Sequence, residues 1–418
     1  MLMRRLCHRV VPEDSTAVPT RRRSGGAILL AGLLLLAFNL RPAVASIPPL
    51  LTTLERRLHL GGPTVSLVAA MPLLCFGLVS AGASPLSRRF GRDRVLLASQ
   101  AVLAAGVVGR ALLPRVLLLP GTVVVCGAIA ILNVLSASVV KDRFPNRVGF
   151  ALSTYSCVLL LGSTAAASTS ALLYSAAGRS FGLALGVWAV PVVVGLALWS
   201  RQVPRALKRA DRPSTARLAS ARLRRNGIAW WVTAFWGLQA LVVYTTLSWL
   251  PAFFTSRGTT VSYGGLMLGL VNLAGIPTTL AVPRLLASHR HQRLLILFAT
   301  LSCATGLVGA WLAPLSAAPV FMVLLGVGQG CALPLGLVLM VERAGNERVA
   351  TSLSAMAQGI GYLFAAAGVF VVGLLYHATS SWALPGVLLV VVLAAELVAG
   401  FGASVPRTIQ PISGAPDV

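Results

Sequence analysis

Apolar residues run along this chain in stretches of about twenty, the length at which a helix crosses the hydrocarbon of a bilayer. Polar residues collect in the gaps between them. Six stretches lie at residues 27–51, 64–84, 95–113, 116–139, 148–176 and 181–200. Six more lie at 227–250, 262–284, 293–313, 317–341, 349–376 and 382–404. The pattern predicts an all-α integral membrane protein of twelve transmembrane helices, with a very short gap at Leu113-Pro114-Arg115. Residues 201–226 form the only long polar stretch between spans. The organisation is then a basic tail (1–26), a six-helix half (27–200), a linker (201–226), a second six-helix half (227–404) and a closing tail (405–418).

Composition agrees. Of 418 residues, 56% are hydrophobic and 11% charged, against about 25% charged in an ordinary soluble domain. Mean hydropathy is +0.84. The net charge of +25 could suit nucleic acid or a membrane surface, and its distribution separates the two. With the N-terminus in the cytoplasm, the tails and even-numbered connections hold 28 of the 35 Lys and Arg residues. Arg56, Arg57, Arg110, Arg115, Arg179 and Arg257 fall in outer connections, and Arg41 falls inside a span. This positive-inside asymmetry places both termini in the cytoplasm, with the basic runs 4–23 and 201–225 against anionic lipid. No aromatic-interleaved basic surface accompanies the charge, so nucleic acid is not an expected partner.

The first apolar run continues past signal-peptide length, which predicts an uncleaved first span. Five of the six cysteines (Cys75, Cys126, Cys157, Cys303, Cys331) fall within spans and no C-x-x-C occurs, so neither a disulfide framework nor a zinc site is expected. Gly178-Arg179-Ser180-Phe181-Gly182 matches G-x-S-x-G, yet it lies in a connection rather than at a strand-to-helix elbow. No G-x-x-x-x-G-K-[ST] is present either. Hydrolase chemistry, metals, cofactors and a nucleotide-driven engine all drop out of the reading, which leaves gradient-driven movement of a solute.

The halves resemble each other near an offset of about 201 residues: Arg147-Val148 meets Arg348-Val349, Leu152 meets Leu353, Ser153 meets Ser354, and Gly127 meets Gly328. Ile47-Pro48-Pro49-Leu50-Leu51 likewise resembles Trp249-Leu250-Pro251-Ala252-Phe253. Two parallel six-helix halves meeting at a midplane site form the architecture of the major facilitator superfamily. Small residues at helical spacing (Gly77/Ala81, Ser163 through Ala171, Gly265/Gly269, Gly361/Ala365/Gly368) suit close helix approach. On the second, fifth, eighth and eleventh spans they suit surfaces that slide, or ordinary static packing.

Polar side chains within spans are few. Arg41 is the sharpest, because an arginine at the bilayer centre costs about 2.5–3.5 kcal/mol, and Pro42 loosens the helix beside it. No carboxylate lies in the first span to neutralise it, which leaves an anion or freed helix carbonyls as partners. The blander alternative is a structural arginine bonded to Asn39 and to those carbonyls. Asn39, Asn133, Gln239, Tyr244, Gln329, Gln358 and Tyr362 are the other candidate cavity residues, with Tyr155 and Asn272 weaker ones. An isolated amide in a span also serves as interhelical glue. Glu396 is the one plausibly embedded carboxylate, either a proton site or paired near an interface, and His377 reads as a solvated helix end.

Phe38-Asn39-Leu40-Arg41-Pro42 resembles the first-span signature of the cyanate-permease branch of the major facilitator superfamily, which includes cyanate and 2-nitroimidazole transporters. The likeness continues through Ser84-Pro85-Leu86, Arg88-Arg89-Phe90-Gly91 and Asn133, then Lys141-Asp142-Arg143-Phe144-Pro145. It continues through Gly237-Leu238-Gln239, Tyr244 and Trp249-Leu250-Pro251. It closes with Gly326-Val327-Gly328-Gln329-Gly330 and residues 353–362. Against the wider superfamily's G-x-x-x-D-R-x-G-R-R motif, Ser84 stands in the Gly place and Arg88 in the Asp place. Arg88, Arg89, Gly91 and Arg92 remain as the expected cytoplasmic gating motif. The resemblance implies a bacterial inner-membrane carrier, working as a monomer, that moves a small cyanate-like anion by alternating access. The alternative is a proton-driven carrier of small neutral heterocycles. A non-transporting sensor that kept the fold is a third expectation.

Overall fold

The computed structural model describes residues 24–143, 148–200, 223–285 and 289–409. The basic tail, Phe144-Pro145 of the signature, Arg147 of the repeat and nearly all of the linker lie outside the described residues. Twelve helical spans are present among the described residues, from Ala31–Leu58 to Ala383–Ala403. They match the twelve apolar stretches in order, and the helices outrun the stretches at several ends. The second runs Gly62–Phe90 and the seventh Gly227–Ser256.

Helix ends follow local chemistry. Asn226 Oδ1 accepts from the Ile228 and Ala229 N–H groups, at 2.9 and 3.4 Å, to start the seventh span. Asn346 Oδ1 accepts from Val349 N–H at 2.9 Å to start the eleventh. These caps satisfy donors that the first turn of a helix leaves unmatched. Gly91, at φ 87°, turns the second span directly into the third, a backbone region that disfavours side chains.

The first span is not one helix. It runs Ser24–Asn39, breaks at Leu40-Arg41, resumes as the single turn Pro42–Ala45 and the 3-10 turn Pro48–Leu50, and ends as Leu51–Leu58. Pro42, Pro48 and Pro49 lack the N–H that a continuous helix needs. Irregular backbone at membrane depth is tolerated only where protein covers it, and Pro42–Ala45 and Pro48–Leu50 are all buried.

The helix ends at Ser24, Ser200, Leu223 and Ala403 stand at one end of the bundle, the terminal end; the opposite end is the distal one. The two halves press together on the distal side. A Cβ at Gly62 would stand 2.6 Å from the His377 ring, and one at Gly265 would stand 2.5 Å from the Ala167 carbonyl oxygen. Glu55 and His377 pair across the seam at 3.5 Å, and His377 packs edge-on against Trp249. His377 is therefore a partnered seam residue, not the solvated helix end that the sequence suggested. Contact continues inward as far as Gly77, which faces Leu363, whereas nothing lies within 4 Å of a Cβ at Gly82. Of the small-residue sets, those on the second, fifth and eighth spans lie at this seam. Gly361 and Gly368 pack instead against Trp236, Gly237 and Leu241 of their own half.

Candidate functional site

The break in the first span aims Arg41 into a cavity of about 80 Å³ between the halves. Gln239, Tyr244 and Trp236 reach it from the seventh span, Asn272 from the eighth, Gln329 from the tenth and Tyr362 from the eleventh. On the scale at which a water fills about 10–15 Å³, that volume takes roughly five to eight water-sized atoms. The site is thus sized for a small solute.

Arg41 Nη1 donates to the Tyr244 hydroxyl at 3.3 Å, and the guanidinium carbon lies 5.8 Å from the same ring's centroid. This bond joins the halves. It also replaces the expected helix-carbonyl partners, because Asn39 turns away and donates to the Pro191 carbonyl at 2.9 Å. Gln329 Nε2 donates to Thr246 Oγ1 at 2.9 Å, and Asn272 Nδ2 to its own helix at Leu268 O, 3.1 Å. Among the described residues, no Asp or Glu lines the cavity.

Five of the eight sequence candidates meet here: Arg41, Gln239, Tyr244, Gln329 and Tyr362. Three do not line the cavity. Asn39 faces the sixth span, Asn133 is half-buried on the fourth, and Gln358 Nε2 donates to Ser354 Oγ one turn back on its own helix at 2.9 Å. Glu396 is buried on the twelfth span and also does not line the cavity.

Sequence reasoning missed the aromatic wall. Phe76, from the other half, meets Tyr244 edge-on at 6.1 Å and Tyr362 at 5.7 Å; Trp236 meets Tyr362 at 5.9 Å. Neither Phe76 nor Trp236 breaks the apolar pattern, so nothing in one sequence singles them out.

The residues expected to form a gating motif lie at the terminal end, with Arg88 and Arg89 exposed and Arg89 stacked 5.3 Å over Phe90. The second half has a polar knot at the same end that the sequence reading did not single out. Buried Arg343 donates to Gln292 Oε1 at 2.7 Å, Ala403 O at 2.8 Å and Ser404 O at 3.2 Å. Glu342 Oε2 accepts from Gln292 Nε2. Burial lowers the Arg343 pKa from its ordinary value and Glu342 opposes that shift. Ile409 N–H donates to Arg343 O at 2.8 Å, tying the closing segment to the knot.

Comparison with known proteins places the chain in a family. The chain is 36% identical over 377 residues to the 2-nitroimidazole transporter of Escherichia coli (strain K12), covering 90% of this chain and 94% of that protein. It is 27% identical over 338 residues to the cyanate transport protein CynX of the same strain, covering 81% and 87%. The inward-open xylose transporter XylE from E. coli shares the fold, with a TM-score of 0.71 at 14% identity over 91% of this chain and 96% of that one. The family model for the Major Facilitator Superfamily matches residues 28–369. With most of its length so matched, the chain belongs to the major facilitator superfamily, in the branch of the 2-nitroimidazole and cyanate transporters.

Proposed function

We propose that this chain is a secondary transporter of the bacterial inner membrane that moves a small, flat solute by alternating access, with both termini in the cytoplasm. In that orientation the pressed seam of Gly62, Gly265 and His377 lies on the outer side. A solute bridging both halves would bind the two facing states differently, which is what a rocking cycle requires. The observation that carries this reading is Arg41, a guanidinium facing a cavity that no Asp or Glu lines among the described residues. A cyanate-like anion would neutralise it, with Gln239, Gln329 and Tyr362 closing around the other end.

The aromatic wall favours a second reading. Rings from Tyr244, Tyr362 and Trp236, packed against Phe76, suit a planar neutral heterocycle whose acceptor atoms take hydrogen bonds from Arg41. Protons would then supply the energy. Counterflow in proteoliposomes, with cyanate and other small anions set against 2-nitroimidazole, tests both readings. Arg41→Gln is expected to cut anion counterflow at least tenfold. Retained nitroimidazole counterflow in that variant would select the second reading, and undiminished transport of every active substrate would sink the proposed role of Arg41.

A further inference from the structure

Arg110 counts with the outer connections in the charge distribution although it stands near the edge of the stretch 95–113; its helix runs Arg92–Leu112 and its side chain is fully buried, 0% exposed. Nη2 donates to the Ala43 carbonyl inside the broken part of the first span. Nε and Nη1 have no hydrogen-bond partner. A desolvated cation with idle donors is among the most costly groups a membrane protein can hold.

A cavity of about 20 Å³ opens beside this guanidinium, with Val68, Pro72, Thr122, Cys126, Leu247 and Ser248 among its walls. That volume takes about one or two water-sized atoms. Leu247 lines both this cavity and the central one, so it alone among the lining residues is shared between them. Ser248 Oγ donates to the Ala69 carbonyl at 3.2 Å across the seam. Arg41, on the broken stretch of the first span, therefore faces the central cavity, and Arg110, on the third span, bonds to that same stretch and faces the smaller one.

We propose that Arg110 forms a second station, on the distal side of Leu247, for a monovalent inorganic anion of about halide size. A water could accept from the idle donors but would leave the charge unbalanced; an anion does both. No Asp or Glu lines the cavity among the described residues. The walls are largely apolar and a guanidinium is weakly hydrated, which selects weakly hydrated anions such as bromide over strongly hydrated ones. Any part the station plays in solute movement rests on the transport reading, but its occupancy does not.

The test is thermal unfolding of the full-length protein in detergent, with sodium bromide replacing sodium gluconate at constant ionic strength. Saturating bromide is expected to raise Tm by roughly 2–4 °C, equally in wild type and Arg41→Gln, and the rise is lost in Arg110→Gln. Should Arg110→Gln not fold, Thr122→Ile fills the cavity while leaving Arg110 in place, and it too abolishes the rise. Crystals soaked in bromide would show an anomalous peak against the Arg110 guanidinium. A Tm indifferent to bromide, a rise that persists in Arg110→Gln or Thr122→Ile, or a peak at Arg41 alone overturns the proposal. Any of these, alongside counterflow that still depends on Arg41, would leave the central transport reading standing.

Discussion

Where the eighth span crosses the fifth, the distal seam admits no side chain. A Cβ at Gly265 would stand 2.5 Å from the Ala167 carbonyl oxygen and 3.4 Å from Pro49. That is about 0.8 Å inside the closest favourable carbon–oxygen approach of about 3.3 Å. The obstacle is backbone, so it cannot swing aside as a side-chain tip would. Gly265→Ala should cost about 1–3 kcal/mol, the usual range for overpacking, and only while the distal seam is closed. The balance between facing states then moves about 5–150-fold toward the distal-open form. Spin labels at Arg57→Cys and Ala378→Cys, both exposed at the distal end, report this as a longer-distance population in a background without native cysteines. Gly82→Ala is the control, since nothing lies within 4 Å of its Cβ. An unchanged distance distribution in Gly265→Ala, or an equal change in Gly82→Ala, would refute the idea that this contact gates the cycle.

Further predictions follow from the cavity and the knot at the terminal end. Tyr244→Phe removes the hydroxyl that accepts from Arg41 at 3.3 Å. At that length the loss should be about 1 kcal/mol, seen as a roughly fivefold higher KM in counterflow; a wild-type KM would contradict it. Arg343→Met leaves Gln292 Oε1 and the Ala403 and Ser404 carbonyls without their donor. It should lower stability by about 3–5 kcal/mol, measured as a falling Tm and a loss of monodisperse protein in detergent, and a wild-type melting curve would contradict it. Arg343→Lys should recover only part of this, because an ammonium cannot span the same fork of acceptors.

The span count and the pairing of halves were legible because apolar length is a property of each segment alone. Arg41 stood out for a related reason: a charge inside an apolar run is a local contradiction. What could not be read was direction. Arg41, Tyr244 and Gln329 sit in the sequence as Asn39 and Gln358 do, and only the packed helices decide which face the cavity. Arg110 shows the same limit from the other side. It lies three residues from the Leu113-Pro114 gap, so its charge counts with the outer connection, whereas the helix carries it inside. Phe76 and Trp236 were invisible because an aromatic residue in an apolar span violates nothing. The Arg343 knot is assembled from the ends of three spans and the closing segment, a convergence that no single stretch of sequence contains.

The broken first span also bears on how the protein is made. Arg41 enters the membrane with its own half of the chain, yet its partner Tyr244 lies 203 residues later. At a translation rate of about 5–20 residues per second, roughly 10–40 s pass before that partner exists. During this interval the Tyr244 hydroxyl is not there to accept from the guanidinium. The proline-rich break keeps its segment short and irregular, so the charge can stay near water or neighbouring carbonyls until the second half arrives. The bond between Arg41 and Tyr244 is therefore also a marker of completed assembly, formed only once both halves are in the bilayer and facing each other.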